Sequence, residues 1–161
     1  MSCKVSGLTF RKMKLSDLPS IMSIERRAFP NPWSPSAFVA ELTDNVYAHY
    51  TVAQRGKKVL AYGGMWLIVD EAHVTNIAVH PDHRGEGIGD ALLTEMERVA
   101  VEKGIRAMTL EVRVSNTVAQ NLYRKHGFYA SGVRPKYYSD NQEDALIMWK
   151  ELAGETSSGN C

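Results

Sequence analysis

Cysteine is nearly absent from this chain. Only Cys3 and Cys161 occur among 161 residues, both near the ends, so no disulfide framework organises an interior. A bridge between the two tails is disfavoured, because joining flexible ends costs conformational entropy. Long apolar runs are lacking as well. The longest mostly apolar stretch, Val59 to Val69, is about half a membrane span and is interrupted by Gly63-Gly64. The first residues lack the apolar core of a secretory signal. Charge of one sign is missing too: 19 Lys and Arg stand against 18 Asp and Glu, for a formal net charge of +1. No bulk field therefore draws the protein to nucleic acid or to acidic lipid. These absences predict a cytoplasmic protein with no direct nucleic-acid partner and no membrane partner. There is no internal repeat, and the low-complexity segment 154–161 lacks bulky apolar residues, which predicts a disordered tail. The length suits one well-buried core and is too short for two ordinary domains. Residues 1–153 are expected to form one domain.

What the chain does have is punctuation. Leu8 to Arg11 reads as a strand. Ser16 offers a cap for a helix to about Ala28, with Leu18, Ile21, Met22 and Ile24 or Glu25 on one side. Phe29-Pro-Asn-Pro-Trp33 breaks it, and Ser34-Pro35 starts another helix with Ser as cap and Pro in the first turn. Tyr47 to Gln54 and Lys58 to Val69 read as a hairpin about Arg55-Gly56-Lys57, and Ala72 to Val79 as a third strand. Ile88 to Lys103 is the clearest helix, with Ile88, Leu92, Met96 and Val99 as its stripe and Gly104 closing it. Met108 to Val114 is a strand and Asn116 to His126 a helix capped by Ser115 or Asn116. Phe128 to Tyr138 and Ala145 to Glu151 form a last hairpin. Ala72 to Val114 should be a right-handed parallel crossover inside an otherwise antiparallel sheet. The fold class is α/β, with helices on both faces.

The most informative stretch runs from Ile77 to Asp90. A β-branched run stops at Pro81, and a loop then delivers Arg84-x-x-Gly87-x-Gly89 directly into a helix. Gly85, Gly87 and Gly89 let backbone N–H groups crowd an anion, and the unpaired N–H groups opening the helix add partial positive charge. A dinucleotide fingerprint is excluded because Asp90 stands where its third glycine belongs, and the Lys-Ser/Thr end of a Walker A loop is missing.

A second stretch, Leu110-Glu-Val-Arg-Val-Ser-Asn116, places Leu110, Val112 and Val114 on one face of a strand and Glu111 and Arg113 on the other. A same-face Glu–Arg pair is one reading. The other is catalytic. Glu111 lies roughly 13 Å back from the turn along the strand, and Tyr123 lies roughly 10 Å along the following helix. If the helix folds back, a carboxylate and a phenol reach similar depth and could flank one point as base and acid.

With these residues in view, the chain resembles the ribosomal-protein-alanine N-acetyltransferase (RimI-type) branch of the GNAT superfamily. The motifs are Asn76-Ile-Ala-Val79, the Arg84–Gly89 loop, Leu110-Glu-Val-Arg-x-Ser-Asn116, Leu122-Tyr123, Gly127-Phe128, Tyr137-Tyr138 and Glu143-Asp-Ala-x-Ile-Met148. The resemblance runs from about Leu8 to Leu152. It implies the GNAT acyl-CoA N-acyltransferase fold, with a central mixed and partly splayed β-sheet. It also implies acetyl-CoA as co-substrate, no metal, and transfer to the α-amine of a protein N-terminus, an Ala- or Ser-leading one such as that of a ribosomal protein. Glu111 matches the family's proton acceptor and Tyr123 its proton donor. The backbone of Ile77, Ala78 and Val79 matches the strand that pairs with the pantetheine arm. Gly85, Glu86, Gly87, Ile88, Gly89 and Asp90 match the pyrophosphate cradle, to which Arg84 adds charge, and Asn116 matches a side-chain contact to CoA. Phe29, Trp33, Tyr137 and Tyr138 match loops that frame the substrate slot.

Each position has a plainer reading. Tyr123 suits a core aromatic, Asn116 a helix cap, and the aromatic loops simple packing against the core. Glu86 and Asp90 depart from the basic or amide residues common in relatives, leaving Arg84 as the full positive charge in the loop. His80 and His83 lack the acidic or cysteine partner of a metal site, and His49, His73 and His126 carry no readable signal. An α-amine, with a pKa of about 7.7 to 8.0, is partly neutral at pH 7, whereas a lysine near 10.4 is almost wholly charged. A moderately basic carboxylate therefore suffices for an N-terminus, and a strand N–H near Val79 is the candidate donor to the oxyanion. The competing functions are a GNAT enzyme acting on lysine or a small amine, and a non-catalytic acyl-CoA-binding module. A monomer or weak dimer is expected.

Overall fold

A computed structural model describes residues 7–152. The two cysteines and the segment 154–161 lie outside them. Seven strands form one sheet: β1 (Leu8–Lys12), β2 (Ala48–Arg55), β3 (Lys58–Ile68), β4 (Glu71–Val79), β5 (Ala107–Arg113), β6 (Tyr129–Arg134) and β7 (Ala145–Glu151), in the order β1-β2-β3-β4-β5-β7-β6. All pairings are antiparallel except β4 with β5. That parallel pair is made by the crossover through α3 (Ile88–Glu102). It holds for three residue pairs only, Glu71 with Ala107 through His73 with Thr109. Beyond His73 the two strands part, and a wedge opens in the middle of the sheet.

Two apolar clusters, one per face, hold the layers together. On one face α3 buries Ile88, Leu92, Met96 and Val99 against Met65, Val74, Met108, Leu110 and Met148, and α4 (Thr117–Lys125) adds Tyr123. Burying each large side chain of such a stripe contributes about 1.5–3 kcal/mol. On the other face α1 (Leu18–Ala28) and α2 (Pro35–Thr43) bury Ile21, Ile24 and Phe38 against Tyr50, Val52 and Tyr62.

Local chemistry departs from the expected boundaries at three places. Ser16 is not a helix cap. It sits in a short 3-10 turn, Leu15–Asp17, whose Asp17 carboxylate accepts the Lys14 N–H at 2.8 Å and grips both terminal nitrogens of Arg11. The strand after Phe128 stops at Arg134, because Pro135 cannot donate to a ladder and Lys136 takes a φ of 51°. Val114 lies beyond β5 and is 43% exposed, so the inward face of that strand is Met108, Leu110 and Val112.

One irregularity matters for the site. Gly64 pairs with Asn76 and the next residue, Met65, with Val74, so Thr75 is an extra residue in β4. Such a bulge exchanges the faces of everything after it. Val74 therefore packs against α3, whereas Ala78 packs against α1 and α2.

Candidate active site

The wedge beside β4 is lined by backbone. The His80 N–H donates to Leu60 C=O at 2.7 Å. Alternation along an antiparallel ladder then turns the N–H and C=O of Ile77 and Val79 away from β3 and toward the wedge. An extended polar chain laid there would gain strand-like hydrogen bonds. At the end of β4 the chain turns through Pro81–His83 into the glycine loop. Gly85 and Gly87 have φ of 80° and 85°, where a side chain is strained. A Cβ on Gly85 would meet nothing within 4 Å, so conformation rather than crowding calls for glycine. Ile88 anchors the loop in the core, and the first N–H groups of the fifteen-residue α3 open onto it. This is an anion cradle continuous with the wedge, and it fits a ligand with a pyrophosphate at one end and an amide-bearing arm at the other.

The acidic residues of the loop are neutralised from outside it. Glu86 pairs with Arg55 at 3.6 Å and with His83 at 3.2 Å. Asp90 accepts from Lys125 at 2.6 Å and from His126 at 2.7 Å, both at the end of α4. Arg84 is exposed and has no partner among the described residues. Asn116 caps α4, its side chain accepting the Ala119 N–H at 3.1 Å.

His126 ties these elements together, with Nδ1 3.4 Å from Glu97 as well. Burial of the ring opposes its charge, but the carboxylates of Glu97 and Asp90 outweigh burial and raise its pKa above the ordinary value. A raised folded-state pKa stabilises below the unfolded value of about 6.5 and loses that stabilisation as pH climbs through the folded value. His126→Gln is therefore expected to lower Tm more at pH 6 than at pH 8.5, the gap widening by about 2–4 °C, as befits roughly 1 kcal/mol. Thermal melts at the two pH values check this, and an equal loss at both would show that His126 is neutral in the folded protein.

Glu111 and Tyr123 lie on opposite faces of the sheet. Leu110 and Val112 belong to the α3 side with Tyr123, so Glu111 points to the α1–α2 side. The Glu111–Arg113 pair does not form. Glu111 Oε1 accepts from His73 Nε2 at 2.7 Å and Oε2 from Arg134 Nε at 3.2 Å, while Arg113 pairs with Asp140 and Glu143 and lies 4.0 Å from the centre of the Tyr138 ring. The His73 hydrogen bond outweighs burial and, with Arg134, holds the Glu111 carboxyl below its ordinary pKa. Tyr123 packs edge-on against Phe128 at 5.7 Å, and burial with the neighbouring Tyr138 pushes its phenol up to about 12. Tyr138 interacts electrostatically with Glu111 as well.

A polar row on the α1–α2 face was not visible in the sequence. The buried Glu25 carboxylate accepts the Trp33 N–H at 2.9 Å and the Tyr62 hydroxyl, which fixes the end of the Phe29–Trp33 loop. Trp33 leans on Phe38, Phe38 on Tyr50, and the Tyr50 hydroxyl donates to Glu41 at 2.9 Å. Glu41 also accepts from Trp66 Nε1 at 2.6 Å, and Trp66 stands edge-on to His73. The row thus runs from Trp33 to Glu111, with Tyr137 and Tyr138 beyond it. Among the described residues no group of three or more His, Cys, Asp and Glu could hold a metal ion. No helix there is long and apolar enough to cross a membrane.

A profile described as the acetyltransferase (GNAT) family matches residues 18–128. The chain is 37% identical over 142 residues to the [ribosomal protein bS18]-alanine N-acetyltransferase of Escherichia coli (strain K12), covering 87% of this chain and 95% of that one. It is 44% identical over 139 residues, 86% of this chain and 92% of the other, to a Bacillus subtilis (strain 168) protein provisionally named for the same activity. The crystal structure of the Escherichia coli ribosomal-protein-S18-alanine N-acetyltransferase superposes with a TM-score of 0.84 at 32% identity, covering 96% of this chain and 98% of that one. The chain therefore belongs to the GNAT family and is an acetyl-CoA-dependent N-acetyltransferase. Within that family it falls in the RimI-type branch.

Proposed function

We propose that this enzyme acetylates the α-amine of a protein N-terminus in the cytoplasm, with an alanine-leading ribosomal protein of the bS18 type as its substrate. The observation that carries this reading is the near full-length similarity to the Escherichia coli enzyme of that name. The two faces of the wedge divide the work. Ile77, Ala78 and Val79 hold the thioester arm, the N–H groups from Gly85 to Asp90 hold the pyrophosphate with Arg84, and Asn116 adds a side-chain contact. The acceptor enters from the α1–α2 face between Phe29 and Trp33 on one side and Tyr137 and Tyr138 on the other.

The row from Glu25 to Glu111 gives that face three carboxylates, suited to an incoming ammonium. The base function resides in the hydrogen-bonded pair of Glu111 and His73. Tyr123 starts in the protonated form, because its pKa lies far above neutral, and supplies a proton to the leaving sulfur. The Ile77 N–H, free on the wedge side and nearer the Glu111–His73 pair than that of Val79, is the candidate to stabilise negative charge on the carbonyl oxygen.

One peptide in two forms tests the substrate. An Ala-leading, lysine-containing peptide with a free N-terminus is expected to be acetylated at that terminus, and its N-blocked form to react at least about tenfold more slowly, read by mass spectrometry with the modified residue located. Faster reaction of the blocked form assigns the enzyme to lysine instead.

A further inference from the structure

We infer that His73 takes the proton from the attacking amine, with Glu111 behind it as the residue that orients the ring. This rests on the acyltransfer reading above and names a residue within it. Both oxygens of Glu111 are engaged, one by His73 and one by Arg134. Its side chain is 9% exposed, whereas that of His73 is 35% exposed. With its oxygens committed to His73 and Arg134, Glu111 is the less accessible acceptor of the pair. An imidazole is better matched to an α-ammonium near neutral pH.

The geometry supplies the rest. Donation from Nε2 to Glu111 leaves Nδ1 with the lone pair of the neutral ring, and Nδ1 has no partner among the described residues. Trp66, pinned by Glu41, stands edge-on with its ring centre 6.0 Å from that of His73 and limits its rotation. His73 is also the last residue of β4 paired with β5, so the imidazole stands at the apex of the wedge, where the strands begin to part, on the acceptor side. This is the base–orienter arrangement, in which a buried carboxylate fixes the tautomer and steadies the imidazolium that forms. As the amine lone pair makes the C–N bond, the nitrogen's proton passes to Nδ1. The C–S bond breaks with its electron pair on sulfur, and Tyr123 protonates the thiolate. The proton on His73 then replaces, through solvent, the one that Tyr123 gave.

Kinetics with acetyl-CoA and the Ala-leading peptide test this. His73→Ala is expected to lower kcat by about 10²-fold or more with KM for acetyl-CoA unchanged, and free imidazole should restore at least about tenfold of the loss. His73→Gln keeps an N–H donor for Glu111 but has no basic nitrogen, and it is expected to be as slow. A folded His73→Ala within about threefold of wild type, a loss that imidazole does not restore, or full activity in His73→Gln would each overturn the inference and leave the carboxylate as acceptor. Wild type that acetylates lysine but not the free N-terminus refutes the N-terminal reading alone, and the same ratios are then read on that lysine.

Discussion

Glu111→Gln and Tyr123→Phe, made singly, are each expected to lower kcat by about 10²-fold or more while affinity for acetyl-CoA stays within about threefold. Gln keeps the size of Glu111 and can still accept from His73, but it removes the negative charge that fixes the imidazole and pairs with Arg134. Phe keeps the Tyr123 ring against Phe128, and the lost hydroxyl has no hydrogen-bond partner among the described residues. Its removal should therefore cost little stability, so a fall in rate would report chemistry rather than folding. Steady-state kinetics paired with calorimetric titration of acetyl-CoA separate the two. If both variants turn over like wild type, the two residues are structural and the acid–base mechanism fails.

The features that local periodicity encodes were readable in the chain. The Ile88–Leu92–Met96–Val99 stripe is buried as its spacing requires, Ser34 and Asn116 cap the helices that follow them, and the crossover from β4 to β5 is parallel. The glycine loop into α3 was readable for the same reason, since three glycines before a helix are a local signal. Glu111 could be placed on the face opposite Leu110 by alternation alone. What alternation could not show was its partner. His73 meets Glu111 across a gap of 38 positions, and nothing near His73 in sequence marks it.

Thr75 was hidden for a related reason. A bulge is a property of a pair of strands, and its effect of exchanging faces is invisible until β3 is laid beside β4. The roles of Glu25 and Glu41 are invisible in the sequence because the groups that satisfy them are distant. Tyr62 and the Trp33 amide donate to one, and Tyr50 and Trp66 to the other. Buried carboxylates are tolerable only with such donors, so their role exists only in the folded state. The acidic residues Glu86 and Asp90 looked like a liability for a phosphate site. Their neutralisation by Arg55, Lys125 and His126 again comes from elements remote in sequence.

The Gly63-Gly64 pair that interrupts the longest apolar stretch leads to the last prediction. Consecutive residues of a strand face opposite ways, and a Cβ at each would meet a different neighbour. At Gly63 it would come within 2.5 Å of Met96 Sδ, the flexible end of a thioether on the α3 side. At Gly64 it would lie 2.1 Å from the Tyr50 ring, with three ring carbons within 2.6 Å. Tyr50 cannot swing clear, because it is 2% exposed, packs edge-on against Phe38, and is tied through its hydroxyl to Glu41 and Thr75. Overpacking of this kind costs about 1–3 kcal/mol or more, and the rigid neighbour puts Gly64→Ala at the upper end. Its Tm is expected to fall by roughly 5–10 °C. Displacing Tyr50 also moves Glu41 and, through Trp66, the setting of His73, so kcat should fall with it by about tenfold. Gly63→Ala, which Met96 can accommodate by rotating its terminal bonds, is expected to cost about 1.5 kcal/mol at most and to leave kcat within about twofold. Thermal melts and kinetics on the two variants decide the matter: equal losses at the two positions, or a Gly64→Ala enzyme with wild-type turnover, would mean that the Tyr50–Glu41–Trp66 row does not hold the acceptor side in place.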